Sequence, residues 1–227
     1  EGTPRPLDAP LFERDKKSNH VKLRTDNFVR ALERPDLVGA VIGRDEFTDD
    51  LLYRPWPLHQ PFRSSPDTWT TGQARPFKDT DYVALSRALR KLTFGPSDIP
   101  IDPLRRCVAY VGDQRTFDSA IHWLTNLPAW DGIERIDTFC SAYLGSEDTP
   151  YTRAVGRYWW SAHAGRVLTP GCQADMAIVL ISGQGTGKTS ALRAMAPLIH
   201  QYVELNLAHR DEDLCRAMKG KIIGELA

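Results

Sequence analysis

The stretch Met176-Ala-Ile-Val-Leu-Ile-Ser-Gly-Gln-Gly-Thr-Gly-Lys-Thr-Ser-Ala-Leu-Arg193 decides the predicted fold and the predicted chemistry. Its first six residues, Met176 to Ile181, are all apolar, which predicts a central parallel strand buried on both faces. A loop of small residues runs from Ser182 to Gly187, and Lys188-Thr189 opens a helix that Pro197 ends. A strand, a glycine loop, Lys-Thr and a helix in this order predict a loop that binds phosphate groups.

Each part of this loop has a predicted role. Glycines let backbone N–H groups turn toward one anion, and the helix N-terminus adds unpaired donors and the positive end of its dipole. Lys188 is expected to reach the β- and γ-phosphates, and the Thr189 hydroxyl to join the Mg²⁺ shell. We therefore predict ATP or another nucleotide, with Mg²⁺, as the ligand. The residues predicted to contact it are Ser182, Gly183, Gln184, Gly185, Thr186, Gly187, Lys188, Thr189 and Ser190.

The first position of the loop departs from the usual pattern G-x-x-x-x-G-K-[ST], because Ser182 stands where glycine is usual. Gly183, Gly185 and Gly187 keep the loop permissive, so the prediction is retained. The alternative interpretation is a glycine-rich turn with an incidental lysine.

Two further strands are predicted after the loop. Tyr202–Leu205 is the first, a helix is expected to begin near Asp211, and Lys221–Glu225 is the second, with an acid at its C-terminal end. In P-loop enzymes such an acid holds or orients the Mg²⁺ and its water. We therefore predict Lys188 and Glu225 as catalytic residues, and Thr189 and Glu225 as the residues that hold the metal.

The composition sets limits on the class of protein. The 227 residues carry 29 basic and 29 acidic side chains, so no overall positive field points to nucleic acid, although a local patch is not excluded. No apolar run approaches the roughly 20 residues that a membrane helix needs, so no membrane association is expected. The four cysteines lie far apart, which favours reduced thiols in a cytoplasmic protein.

The prolines divide the chain, because 12 of the 16 lie at or before Pro103. We predict a linker over residues 1–20 and a loop-rich mixed α/β region over 21–100. A helical region is predicted over 101–172, and the start of an ATPase core over 173–227, which would make the chain part of a longer protein.

Apolar spacing predicts four helices in the helical region. The first covers Leu104 to Val111, the second covers Phe117 to Leu127, the third carries Ile133, Ile136, Phe139, Cys140 and Tyr143, and the fourth runs from Val155 to Leu168. In the last helix, Tyr158-Trp159-Trp160 is a stacking platform for single-stranded nucleic acid or, as we favour, part of the core. The arginines Arg105, Arg106, Arg153, Arg157 and Arg166 are phosphate contacts or, as we favour, a solvated face.

Four segments together resemble the virulence-associated protein E family, which is related to phage primase–helicases. The resemblance covers roughly residues 20 to 227, with Ser182 and Ile222 as departures. The segments are Phe77-Lys-Asp-Thr-Asp-Tyr-Val-Ala-Leu85, Phe117-Asp-Ser-Ala-Ile-His-Trp-Leu124 with Leu127-Pro-Ala-Trp-Asp-Gly-Ile-Glu-Arg-Ile136, Pro170-Gly-Cys-Gln-Ala-Asp175, and Lys219-Gly-Lys-Ile-Ile-Gly-Glu-Leu-Ala227.

The resemblance implies an ATPase core similar to superfamily 3 helicases, acting in replication of a prophage or another mobile element. It implies a homo-oligomeric ring with ATP held between neighbouring subunits, and DNA as the partner. The implied fold class is α/β with a large helical N-terminal part and a truncated P-loop (RecA/AAA+-like) parallel sheet at the C-terminal end. The arginine finger, the polar sensor and the DNA hairpin of that class would lie beyond Ala227.

The favoured hypothesis is an Mg²⁺-dependent ATPase that couples hydrolysis to movement on DNA as a helicase. The first alternative is an ATP-dependent loader or switch that binds DNA without unwinding it. A small-molecule phosphotransferase and an inert binding module are the others, and the long helical block ahead of the loop argues against the phosphotransferase.

Overall fold

The structure is a computed structural model that describes residues 12–63, 69, 74–95 and 98–226. It divides into two compact units, residues 1–118 and residues 119–227. The described residues form nine α-helices and six short strands, so the protein is a mixed α/β chain, as the sequence predicts. Within these ranges every helix is too short or too polar to span a bilayer.

The first unit is a four-stranded mixed sheet with four helices. The strands have the order β3-β2-β1-β4, in which β1 pairs antiparallel with β2 and parallel with β4, and β2 pairs antiparallel with β3. In chain order the elements are α1 (Thr25–Leu32), α2 (Pro35–Val38), β1 (Ala40–Asp45), β2 (Asp50–Pro55), β3 (Arg75–Pro76), α3 (Asp79–Lys91), α4 (Ile101–Asp113) and β4 (Thr116–Phe117).

The core of the first unit lies where α1, α3 and α4 meet β1. Phe28 and Phe94 stack at its centre with ring centroids 5.5 Å apart, and Leu89 and Leu104 are fully buried beside them. In a second cluster, Trp69 packs with Val41 and Leu52. Burial of large apolar side chains of this kind is the main source of folding free energy.

The second unit is mostly helical. Its elements are α5 (Ser119–Thr125), α6 (Phe139–Leu144), α7 (Pro150–Leu168), α8 (Lys188–Met195), a 3₁₀ turn (Ile199–Gln201), β5 (Tyr202–Leu205), α9 (Asp211–Ala217) and β6 (Ile223–Leu226). β5 and β6 pair in parallel, and α9 is on the connection between them. These two strands and α9 form where the sequence predicts them.

The predicted strand at Met176–Ile181 is wrong for this structure. Residues 172–183 have no regular secondary structure, and Ile181 is 92% exposed. The run is as apolar as a buried strand, but β5 and β6 pair with each other and neither pairs with it. A strand needs neighbours to satisfy its backbone hydrogen bonds. Among the described residues of this unit, β5 and β6 are the only parallel pair, so the structure does not show the parallel P-loop sheet of the predicted fold class.

Two helix predictions also need correction. Phe117 lies in β4, where it is paired with Asp45 of β1, so the helix there begins only at Ser119. Ile133 and Ile136 precede α6, which begins at Phe139. Helical spacing of apolar residues did not reveal either difference. Pairing with β1 extends Phe117, and ahead of α6 the left-handed Gly132 and the ion pair between Asp131 and Arg135 favour a turn.

The helix α7 organises the second unit. Thr149 caps it by accepting a hydrogen bond from the Thr152 N–H, at 3.2 Å, and Pro150 occupies its first turn. Trp160 meets the ring of Phe139 edge-on at 5.1 Å, which ties α7 to α6. Gly156 lets the backbone of residue 136 come close, since a Cβ atom there would lie 2.6 Å from the Ile136 carbonyl oxygen.

Candidate functional site

The loop between residues 182 and 187 turns sharply before α8 begins at Lys188. Gly185 has a φ of 78° and Gly187, the N-cap of α8, has a φ of 88°, and both values lie in the left-handed region that glycine adopts without strain. Within the described part of the chain, the backbone N–H groups of residues 183–187 donate to no protein acceptor. Five free N–H groups ahead of a helix N-terminus are suited to an anion.

The Lys188 side chain folds back over this loop. Its ammonium donates to the carbonyl oxygen of Ser182 at 3.2 Å, to the Ser182 hydroxyl at 3.1 Å and to the carbonyl oxygen of Gly183 at 3.1 Å. All three acceptors are uncharged. A phosphate oxygen is a stronger acceptor for an ammonium group, because a charge-assisted hydrogen bond is roughly twice as strong as a neutral one.

Ser182, the departure from the usual loop pattern, has a structural role. Its hydroxyl lies 2.5 Å from the Thr186 hydroxyl, and Thr186 is also 3.0 Å from the carbonyl oxygen of Gly183. These two hydrogen bonds link Thr186 to the start of the loop at residues 182 and 183. Glycine at position 182 would lack the bond to Thr186, so the serine gives the loop a side-chain link that the usual pattern does not have.

Thr189 and Glu225 meet, although 35 residues separate them along the chain. The Thr189 hydroxyl donates to Oε1 of Glu225 at 2.8 Å, which joins the first turn of α8 to the strand β6. A hydroxyl that donates its proton in this way keeps its lone pairs for a cation. The other two predicted contact residues, Gln184 and Ser190, are exposed on the loop and on α8.

The Thr189 hydroxyl and the Glu225 carboxylate fit an Mg²⁺ ion that is bound together with a nucleotide. No group of three or more His, Cys, Asp or Glu side chains that would hold a metal is present in the described ranges. A hydroxyl and one carboxylate are too few for a metal held by protein alone. Mg²⁺ is commonly held by one or two protein oxygens together with phosphate oxygens and water, which agrees with this small donor set.

Sequence reasoning missed a second set of side chains beside Glu225. The Tyr202 hydroxyl on β5 donates to Oε2 of Glu225, and burial together with this bond raises the pKa of Tyr202 to about 12. Arg193 of α8 lies over the Tyr202 ring, 5.1 Å from its centroid, and also donates to Glu204. The spacing of Tyr202 and Glu204 along a predicted strand, which places them on one face, was the available indication.

The α7 side chains considered for nucleic acid have partners within the second unit. Arg153 and Arg157 pair with Asp148 and Asp137, and Arg166 donates to the carbonyl oxygens of Lys221, at 3.1 Å, and Met218, at 3.3 Å. Trp160 packs on Phe139, as the core interpretation expects. This helix face therefore offers paired arginines and packed aromatic rings rather than free cations.

The family match covers the second unit. Residues 124–227 match the family model described as the virulence-associated protein E-like domain. This segment is therefore similar to virulence-associated protein E-like domains. The predicted resemblance is thus confirmed for the segment that contains the loop, Thr189 and Glu225, whereas for residues 20–123 it stays a prediction. No curated protein matches the chain.

Proposed function

We propose that the segment similar to virulence-associated protein E-like domains binds ATP with Mg²⁺ and hydrolyses it. The observation that carries the proposal is the hydrogen bond between Thr189 at the start of α8 and Glu225 on β6, at 2.8 Å. It brings together the hydroxyl and the carboxylate that the sequence assigns to one metal ion. A glycine-rich turn with an incidental lysine, the alternative interpretation, does not require contact with an acidic residue of a distant strand.

Each residue of the site has a separate proposed role. The free N–H groups of residues 183–187 and the N-terminus of α8 would bind the phosphate tail, and Lys188 would exchange its neutral acceptors for phosphate oxygens. Thr189 would hold the Mg²⁺, and Glu225 would orient it or its water. When bound, Mg²⁺ supplies neutralisation of the charge that develops on the transferring phosphoryl group.

The DNA part of the proposal rests on the family and not on the charge of this chain. The formal net charge is zero, and Arg153 and Arg157 are paired with acids. A helicase that assembles as a ring and acts in replication of a mobile element is the function we propose for the whole protein. A loader or switch that binds DNA without unwinding it is the alternative.

The first experiment measures ATP binding by calorimetry with Mg²⁺ present. We expect Lys188→Ala to weaken binding at least about tenfold, because a charge-assisted contact to phosphate contributes roughly 1.5–3 kcal/mol. Lys91→Ala, the same change at an exposed position at the end of α3, is the matched control and should bind as the parent does. Equal affinity of the parent and Lys188→Ala would contradict the nucleotide site.

A second experiment separates the two DNA functions. ATP turnover is measured with and without single-stranded DNA, and separation of a labelled duplex is followed in parallel. A helicase gives DNA-stimulated turnover and ATP-dependent strand separation, and both are lost in Lys188→Ala. DNA-stimulated turnover without strand separation favours the loader, and turnover that ignores DNA argues against coupling to DNA.

A further inference from the structure

Glu225 accepts hydrogen bonds at both carboxylate oxygens. Thr189 donates to Oε1 at 2.8 Å, and the Tyr202 hydroxyl donates to Oε2. The two donors come from different elements, α8 and β5, so the carboxylate on β6 is held between a helix and a strand. A carboxylate fixed by two hydrogen bonds has less freedom to rotate than one fixed by a single bond.

The backbone explains how Tyr202 reaches this acid. In the parallel pair of β5 and β6, Tyr202 lies opposite Ile223, and Glu204 lies opposite Glu225. Side chains two residues apart on a strand share a face, so Tyr202 and Glu204 project from β5 on one side. The phenol of Tyr202 is long enough to extend along that face to the neighbouring strand's Glu225.

The Tyr202 ring is itself held in place. The guanidinium of Arg193 lies 5.1 Å from the ring centroid and also donates to Glu204, so α8 contacts β5 through both residues. A cation over an aromatic face is attracted by the ring quadrupole. The hydroxyl at the end of the ring is 3.4 Å from Oε1 of Glu204 and closer to Oε2 of Glu225, so Glu225 is its nearer acceptor.

We propose that Tyr202 is a positioning residue of the Mg²⁺–nucleotide site. Its hydroxyl holds the Glu225 carboxylate in the orientation that accepts the Thr189 proton, which directs the lone pairs of Thr189 toward the metal. This inference rests on the proposed function of the site. It assigns to Tyr202 no contact with the nucleotide, and its effect is expected only where Mg²⁺ takes part.

A purely structural role for the hydroxyl predicts a different result. If the Tyr202–Glu225 bond only joined β5 to β6, its loss would lower the stability of the unit and weaken ATP binding whether or not Mg²⁺ is present. A positioning role changes only the gain in ATP affinity that Mg²⁺ brings. The ratio of the dissociation constants for ATP in EDTA and in Mg²⁺, called here the magnesium factor, therefore separates the two roles.

The test uses the full chain and the variant Tyr202→Phe, which keeps the ring under Arg193 and removes only the hydroxyl. We expect the magnesium factor to fall roughly tenfold, the low end of the usual cost of removing a residue that orients a metal ligand. The dissociation constant for ATP in EDTA should stay within about twofold of the parent value. Tyr151→Phe, at an exposed tyrosine 76% accessible at the start of α7, is the matched control and should leave the factor unchanged.

A second variant pair tests whether Tyr202 acts through Glu225. Glu225→Gln should reduce the magnesium factor by itself, and adding Tyr202→Phe to it should reduce the factor no further. A further tenfold loss in the double variant would overturn the inference, and so would an unchanged factor in Tyr202→Phe.

The result also separates this inference from the proposed function. If the parent binds ATP and Lys188→Ala does not, while Tyr202→Phe keeps the full factor, only the role of Tyr202 is refuted. If the parent chain binds no ATP in Mg²⁺ or in EDTA, both proposals are refuted together. Thermal denaturation of each variant checks that it is folded before binding is measured.

Discussion

At the scale of single residues, the site depends on which partner each polar group takes. Lys188 donates to neutral oxygens of its own loop, and Thr189 donates to Glu225. Ser182 adds a hydroxyl link to Thr186 that the usual loop pattern lacks. A partly buried ionisable side chain of the second unit, His163, gives a separate residue-scale prediction.

His163 links the last part of α7 to the end of α8. Its Nε2 lies 3.3 Å from the carbonyl oxygen of Met195, which requires the proton on that nitrogen, and its ring is 5.2 Å from the ring of Trp160. Burial lowers the pKa of His163, and the bond to Met195 raises it by a smaller amount. The folded unit therefore disfavours the second proton that the unfolded chain accepts.

The pH dependence follows from this sign. The pKa of His163 in the folded unit is below its ordinary value of about 6.5. The contribution of neutral His163 to the stability of the second unit is therefore fully present above that pH and is lost as pH falls through the folded pKa. We expect the parent to melt at a lower temperature at pH 5 than at pH 7. His163→Gln should show a smaller difference, and His209→Gln, at an exposed position, should behave as the parent does. An identical pH dependence in His163→Gln would contradict the assignment.

At the scale of elements, α7 is packed closely at one glycine and loosely at another. A Cβ atom on Gly156 would lie 2.6 Å from the Ile136 carbonyl oxygen, which is backbone and cannot easily yield. A Cβ atom on Gly165 would lie 2.9 Å from Sγ of Cys172, an exposed side chain that can move. Alanine would therefore contact rigid backbone at position 156 and a movable side chain at position 165.

We expect opposite outcomes at these two glycines. Gly156→Ala should lower the free energy of unfolding by about 1–3 kcal/mol, the usual cost of forcing atoms into a packed contact. Gly165→Ala should leave it unchanged or raise it, because alanine is better in a helix interior by up to about 1 kcal/mol. Urea denaturation followed by circular dichroism measures both. Equal losses in the two variants would show that close packing at Gly156 is not the cause.

At the scale of the whole molecule, the two units differ in how much they bury. Of the hydrophobic side chains that are buried in the described ranges, most belong to the first unit. Those of the second unit are Ala120, Phe139, Cys140, Val167, Ile222 and Ile223. Since apolar burial is the dominant favourable contribution to folding, we infer that the first unit is the more stable of the two.

This difference predicts two unfolding transitions. Residues 1–118 expressed alone should unfold cooperatively and should not respond to ATP with Mg²⁺. In the full chain, ATP with Mg²⁺ should shift only the other transition, by about 2.7 kcal/mol at a free concentration of 100 times the dissociation constant. Differential scanning calorimetry measures both. A shift of the transition that residues 1–118 show by themselves would place the nucleotide outside the second unit.

The local features of this protein follow from its sequence. The helix at Lys188, the strands at Tyr202–Leu205 and Ile223–Leu226, and the φ values of Gly185 and Gly187 agree with residue patterns that act over a few positions. The predicted site residues lie in the motif and at the end of one strand, whereas Tyr202 was not predicted. Helix caps and glycine turns depend on residues only a few positions apart, so they can be predicted from the sequence.

The tertiary structure decided which of these pieces meet. The apolar run Met176–Ile181 is left without a neighbouring strand, because pairing depends on partners that a run of residues does not specify. The hydrogen bonds from Thr189 and Tyr202 to Glu225 join residues that are distant in the chain, so only the packing of α8 and β5 against β6 reveals them. Sequence determined the loop, the helix at Lys188 and the strands β5 and β6, and the register of β5 on β6 determined which side chains meet, since contacts between distant residues depend on how the elements pack.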